Sequence, residues 1–222
     1  MNTLSIIVPA LDAARTLPAV VAALGDGAEI VVVDGGSRDH TPAVAAAAGA
    51  RVVPAPRGRG VQLAAGANAA RGAWFLFLHA DTVLGGDWRA EAEAFMSNPD
   101  NRARAAAFRF ALDDGAPQAR QLERIVAWRT RVVGLPYGDQ GLLIHRDFYR
   151  ALGGFRPLPL MEDVDFVRRI GHARLHILAT PAITSAARWR RDGWLRRSLR
   201  NLSCLVLYFA GVPPRFLVRV YG

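Results

Sequence analysis

The chain has 222 residues, 51% of them hydrophobic, and its 28 basic against 19 acidic side chains give a net charge of +9. That is apolar material for one large globular domain and too much for a disordered polyelectrolyte, while a single cysteine, Cys204, excludes an intramolecular disulfide framework and suggests a reducing, cytoplasmic setting. All the basic residues are arginine, and they are unevenly spread: residues 188–222 hold eight against Asp192, +7, and residues 1–187 hold 20 against 18 acids, +2.

Met1-Asn2-Thr3 places no basic region ahead of the first apolar run, which argues for a strand rather than a signal peptide. No stretch reaches the ~18 apolar residues of a membrane span. Leu4-Ser5-Ile6-Ile7-Val8 reads as a strand stopped by Pro9, with Asp12 placed to cap a helix over Thr16 to Leu24. Glu29 to Val33 is a second strand ended by Asp34-Gly35-Gly36; Thr41-Pro42 starts a short alanine-rich helix that Gly49 closes, and Arg51-Val52-Val53 is a third strand. This rhythm predicts a parallel sheet with right-handed crossovers. Arg57-Gly58-Arg59-Gly60 opens a small-residue helix running to about Arg71-Gly72, and Phe75 to Leu78 is a strand buried on both faces. Helices are expected over Asp87 to Met96, Gln118 to Val132, Arg146 to Leu152 and Glu162 to Ile170, and strands over Ala105 to Leu112, Gly141 to His145 and Leu175 to Ala179. No linker divides the chain, so residues 1–187 read as one α/β domain and 188–222 as a basic helical tail.

The strand at Phe75 ends in His79-Ala80-Asp81-Thr82. Alternation puts His79 and Asp81 on one side of an extended segment, where an imidazole and a carboxylate can hold a divalent cation; on this segment alone a plain helix cap by Asp81 and Thr82 is the favoured reading. What favours a site is convergence: Asp12, Asp34 and Asp81 each follow a strand, and the carboxyl ends of parallel strands line one crevice.

Five segments occur in the order seen in family-2 glycosyltransferases: Ile7-Val8-Pro9-Ala10-Leu11-Asp12; Val32 through Thr41 with Asp34-Gly35-Gly36-Ser37-Arg38-Asp39; Gly66 through Gly72; Phe77-Leu78-His79-Ala80-Asp81-Thr82; and Met161-Glu162-Asp163-Val164-Asp165-Phe166. The chain resembles that family over about residues 4 to 180, within it a small bacterial subgroup with Asp-Gly-Gly-Ser and His-Ala-Asp-Thr. The resemblance implies a GT-A fold with a mostly parallel central sheet flanked by helices, and a metal-dependent, inverting transfer from a nucleotide-diphosphate sugar, with Mn2+ or Mg2+ as cofactor. It implies that Pro9, Asp12, Asp34, Gly36, Ser37, Asp39, Arg71, Ala80 and Asp81 contact the nucleotide sugar, that Asp81 ligates the metal with His79 beside it, and that Asp163, next to Glu162, is the catalytic base. Tyr137, Asp139, Gln140 and Phe155 fall on the acceptor side, and Arg188 with Trp189 would close on the diphosphate. Two departures stand out: the family's usual Asp is here His79, and its Asp-Asp-Gly-Ser is here Asp34-Gly35-Gly36-Ser37.

His145, His172 and His176 read as packing or surface residues. In the tail, Leu195, Leu199, Leu202, Val206 and Phe209 recur at helical spacing with Arg196, Arg197 and Arg200 off the stripe. Such a stripe fits docking on the domain or on a second copy as a homodimer, with peripheral contact to an anionic membrane the alternative. The tail has no aromatic platform for nucleic acid. Two other functions are consistent with parts of the pattern: a sugar nucleotidyltransferase, which wants a glycine-rich phosphate loop where Ala10-Leu11-Asp12-Ala13 stands, and a non-catalytic binding protein using the basic tail.

Overall fold

A computed structural model describes residues 3–221, so the reading of Met1 and Asn2 lies outside the described residues. The elements in order are β1 (Leu4–Ala10), α1 (Leu17–Leu24), β2 (Glu29–Asp34), α2 (Thr41–Ala47), β3 (Arg51–Pro54), α3 (Arg59–Ala69), β4 (Trp74–Phe77), β5 (Thr82–Leu84), α4 (Trp88–Ser97) and β6 (Ala105–Leu112). There follow α5 (Pro117–Trp128), continued by one π-helical turn at Arg129–Val133, then β7 (Leu142–His145), α6 (Arg146–Ala151), α7 (Glu162–Ile170), β8 (Leu175–Thr184), α8 (Ala187–Asp192), α9 (Trp194–Phe209) and α10 (Pro214–Tyr221).

One sheet runs β3-β2-β1-β4-β7-β6-β8-β5. Its first four strands are parallel, as the strand-helix alternation predicts; β7 then pairs antiparallel with both β4 and β6, and β5 antiparallel with β8. The second half is thus mixed rather than parallel. β5 is an element the sequence reading lacked: three residues leave no periodicity to detect, and the place given to a helix cap at Asp81-Thr82 is instead a turn closed by the Thr82 amide on the His79 carbonyl, 3.2 Å.

Period-two alternation sorts the strands' apolar side chains onto two faces. Ile6, Val8, Val32, Leu76 and Leu78 pack with Leu17, Trp88 and Phe95 beneath α1 and α4; Ile7, Val31, Val33, Phe75 and Phe77 pack with Leu63, Phe148, Tyr149 and Phe166 beneath α3, α6 and α7. Pro9 does not stop β1. Pairing of β1 with β4 ends at Ile7–Phe77, with the Leu78 amide on the Ile7 carbonyl, so the side on which proline lacks an N–H has no partner strand left to serve. Asp12 does not cap α1, whose first residue is preceded by Thr16 without a side-chain cap.

The tail folds as three helices. α8 and the start of α9 put Trp189 and Trp194 against Phe110, Leu112 and Val126, and Leu205 and Tyr208 of α9 pack on Leu135, Val164 and Val167. The face of α9 turned inward carries Arg197 and Cys204, and the apolar stripe expected to dock on the domain lies exposed, Leu195 to 73%. Among the described residues no helix is long and apolar enough to cross a membrane.

His145, His172 and His176 serve packing: His145 accepts from the Asp147 amide and sits edge-on to Trp74, His172 lies against Gly134, and His176 stacks on Phe95.

Candidate functional site

At the carboxyl ends of β1 and β4 the chain opens into two communicating compartments, one of about 470 Å³ and a smaller one of about 110 Å³. Pro9, Ala10 and Asp12 from the end of β1, Ala80 after β4, and Arg57, Gly58 and Gln62 around the start of α3 line the larger. Tyr137, Asp139 and Asp163 line the smaller, with Trp189, Arg197, Asn201 and Cys204 of the tail. Arg59, His79, Asp81, Leu160, Arg188 and Tyr221 border both and form the passage between them.

The strand-end carboxylates do unequal things. Asp12 has a left-handed backbone, φ 50°, a conformation short polar side chains tolerate. It clasps the next loop reciprocally, its amide donating to Ser37 Oγ at 2.9 Å and its Oδ1 accepting from the Arg38 amide at 2.8 Å. Asp34 turns into its own loop and accepts from the Gly36 and Ser37 amides and the Ser37 hydroxyl. Asp39 accepts from the Thr41 hydroxyl and amide and from the Ala14 amide, which lowers its carboxyl below the ordinary range. Asp34, Gly36, Ser37 and Asp39 therefore stand outside the walls of the larger compartment and brace Asp12 from behind. Arg71 is displaced further. It precedes β4 at the amino edge of the sheet, its amide donating to Glu29 at the start of β2, in a separate depression with Thr3, Ser5 and Trp88. The helix between it and the crevice is α3, whose opposite end carries the basic residues that do face the site.

Those residues are Arg57 and Arg59, and with Gln62 they are what residue-by-residue matching missed. The signal was present as Arg57-Gly58-Arg59-Gly60 opening a helix. Gly60 must be glycine there because a Cβ would come within 2.3 Å of the Arg156 carbonyl oxygen. Gln62 Nε2 donates to the Ala10 and Val33 carbonyls, both at 2.8 Å, and so ties the ends of β1 and β2 together. Arg59 Nη1 lies 3.2 Å from Oε1 of Glu162.

Met161 takes a left-handed backbone, φ 65°, and the turn it makes aims the first two residues of α7 differently. Glu162 is 1% exposed, borders the larger compartment and is committed to Arg59; burial raises its carboxyl and Arg59 opposes that. Asp163 faces the smaller compartment, with Oδ2 accepting from the Gly138 amide at 2.9 Å and Oδ1 from the Val164 amide at 2.7 Å. Glu162 is thus a holder of Arg59, and only Asp163 has the exposure that proton transfer requires.

His79 and Asp81 both border the two compartments, but a turn at Ala80–Asp81, and not the alternation of an extended segment, brings them there. The imidazole is kept neutral: burial, then Arg59 and Arg188, push its pKa well below the usual value. Its ring packs on Gly138, where a Cβ would come within 2.5 Å of Nε2. Asp139 is pushed up to about 6 by burial and by Asp163 and Asp81, with Arg129 opposing. Its Oδ1 is buried without a hydrogen-bond partner.

A divalent cation fits these residues in a particular way. Among the described residues no three histidine, cysteine or acidic side chains are grouped to enclose one. The donors at the passage are Asp81 and neutral His79, with the partnerless oxygen of Asp139 in the compartment beyond. That set suits an ion that keeps waters and takes its remaining ligands from a phosphate substrate, as Mg2+ does.

Gln140 and Phe155 are structural. Gln140, 1% exposed, bonds to Thr130 and the Phe108 carbonyl, and Phe155 lies in the core against Phe77 and Phe166, a layer below the compartments. Trp189 borders only the smaller compartment, away from the position expected for a diphosphate contact, and of this pair only Arg188 reaches both. Arg197, Asn201, Cys204 and Tyr221 had no signal, because on α9 the apolar stripe points away from the site. Trp189 Nε1, Arg197 Nε and Asn201 Oδ1 are all buried without partners at the smaller compartment.

Residues 5–152 match the model of the family described as glycosyl transferase family 2. Uncharacterized glycosyltransferases of Mycobacterium tuberculosis and Mycobacterium bovis are 43% identical over 70 residues, 31% of this chain and 32% of theirs, so the match spans about a third of those relatives. Among solved structures, glucosyl-3-phosphoglycerate synthase from Mycobacterium tuberculosis in complex with Mn2+, UDP-glucose and phosphoglyceric acid superposes with a TM-score of 0.60 at 22% identity, over 80% of this chain and 69% of that one. The same enzyme with Mg2+ and UDP gives 0.60 over 81% and 70%.

Proposed function

The chain belongs to glycosyl transferase family 2 and has the GT-A fold, and from that premise we propose that it moves a sugar from a nucleotide-diphosphate donor to an acceptor hydroxyl. The observation that carries the reading is the pair of compartments meeting at Arg59, His79, Asp81 and Arg188, with Asp163 on one side of the passage. A donor seated in the larger compartment has Pro9 and Asp12 beside its nucleoside and Arg57, Arg59 and Arg188 along its diphosphate, which brings the anomeric carbon to the passage. Residues 188–222 then act as part of the site.

The acceptor occupies the smaller compartment. Its unpartnered groups are two donors, Trp189 Nε1–H and Arg197 Nε–H, and two acceptors, Asp139 Oδ1 and Asn201 Oδ1, a mixture that hydroxyl-rich molecules can satisfy. Asp163 takes the proton of the attacking hydroxyl as the bond to the anomeric carbon forms, while the diphosphate leaves on the opposite side with the bonding pair; this in-line arrangement inverts the anomeric centre. The two amides on Asp163 fix its carboxylate for that transfer, and the arginines stabilise the charge on the departing phosphate. Bound at Asp81 and His79, Mn2+ or Mg2+ would supply further charge neutralisation for the diphosphate.

Because the superposed synthase binds UDP-glucose, uridine diphosphate is the first donor base to test. Thermal unfolding with UDP, GDP or dTDP, with and without Mn2+, should show a rise in Tm when one diphosphate and the metal are present together, followed by diphosphate release from the matching sugar nucleotide. No shift with any of the three overturns the proposal.

A further inference from the structure

The outward face of α9 carries Leu195, Leu199, Leu202, Val206 and Phe209, all exposed, and α10 adds Phe216 and Val220. A soluble monomer seldom leaves apolar side chains in water in such a run. The charge around them is of one sign. From Gly193 to Tyr221 the chain holds five arginines, at 196, 197, 200, 215 and 219, and no acid, hence +5. Arg196, Arg215 and Arg219 are exposed. Asp192, just ahead, is already taken by Arg191 and Arg197, with Arg200 at 3.8 Å.

We propose that the face of α9 and α10 docks on the surface of an anionic bilayer, the helices lying in the plane of the interface with their apolar side chains in the acyl boundary and their arginines among the headgroups. The charge decides the occupant. Two copies meeting through this face would set the exposed Arg196, Arg215 and Arg219 of one against the same three of the other, with no acid between Gly193 and Tyr221 to pair them, whereas anionic headgroups neutralise them and the acyl boundary accepts the leucines. With no spanning helix among the described residues, the attachment is peripheral. Arg197, Asn201 and Cys204 on the inner side of the same helix wall the smaller compartment, so docking brings that wall to the membrane. The inference stands on exposure and charge alone and does not depend on the sugar-transfer reading.

The test is flotation of the full chain with vesicles of phosphatidylcholine alone or mixed with phosphatidylglycerol, alongside its mass in solution by light scattering. Expected are a monomer, flotation only with the mixed vesicles, weakening as salt rises, and loss of about fivefold in partitioning for each of Arg196→Ala and Arg215→Ala, the loss of one surface charge. The pair Leu199→Glu and Leu202→Glu, both at exposed positions, should abolish flotation without lowering Tm. A folded chain that ignores phosphatidylglycerol, binding that survives the leucine pair, or a dimer that the leucine pair dissociates would each overturn the inference.

Discussion

Arg188, in the helix that follows the last strand, holds its Nη2 3.8 Å from Oδ2 of Asp81 at the end of β4. The tail thereby supplies a cation at the carboxylate to which a metal is assigned. Arg188→Ala should raise affinity for Mn2+ alone, since one positive charge leaves Asp81, and lower affinity for the nucleoside diphosphate by roughly tenfold or more, the loss of a charge-assisted contact worth about 1.5–3 kcal/mol. Calorimetric titration of each ligand separately reads the two opposite changes; a fall in both affinities would contradict this division.

Asp163→Asn keeps the shape of the side chain that receives the Gly138 and Val164 amides and removes its basicity. Turnover should fall by about 10²–10⁴ with diphosphate affinity unchanged. Glu162→Gln should behave differently, weakening donor binding through Arg59, because Glu162 is buried in an ion pair and not aimed at the smaller compartment.

Asp139 gives the site a pH dependence. Its folded pKa of about 6 lies above the unfolded value of ~3.9, so the folded protein holds more protons between those limits and stability falls as pH rises from about 4 to about 6, by at most about 3 kcal/mol. Asp139→Asn should flatten that part of the Tm–pH curve and be the more stable form at neutral pH. If Asp139 helps hold the cation, Mn2+ should oppose the fall in the parent chain and do nothing comparable in the variant.

Gly138 lies between the two ends of the chemistry, its amide on Asp163 and its Cα against the His79 ring. Gly138→Ala puts a methyl 2.5 Å from His79 Nε2 and must displace the ring, at a stability cost on the order of 1–3 kcal/mol. Unfolding in urea and Mn2+ titration should both report it.

Arg71→Ala should leave diphosphate affinity unchanged, whereas Arg59→Ala should reduce it at least tenfold, because only Arg59 faces the crevice. Side-by-side calorimetry of the two variants decides between the position the family pattern suggested and the one the fold supplies.

The sequence by itself determined most of the longer elements and their order, though not the three-residue β5 or the division of the tail into α8, α9 and α10. Ala105 to Leu112 and Glu162 to Ile170 are found at those limits, because an apolar run with Phe108 and Phe110 and amphipathic spacing are local properties that the fold preserved. It also placed Asp12 and Asp81 at one crevice, since parallel strands must end together. Tertiary structure alone decided the rest. Asp34 sits at a strand end as Asp12 does, yet nearby amides and a hydroxyl turn it into its own loop, and no local pattern records which partner a carboxylate will find. Arg71 and Arg59 are at opposite ends of one helix, so the direction of α3 across the sheet, not proximity in sequence, chose the arginine that meets the crevice. The tail inverts the rule by which a stripe is read: Arg197 and Asn201 face inward because they border a polar cavity, and the leucines of α9 face outward. The His79-Ala80-Asp81 segment was legible as a site, but its second cation, Arg188, came from a helix 107 residues later that only the folded chain brings to it.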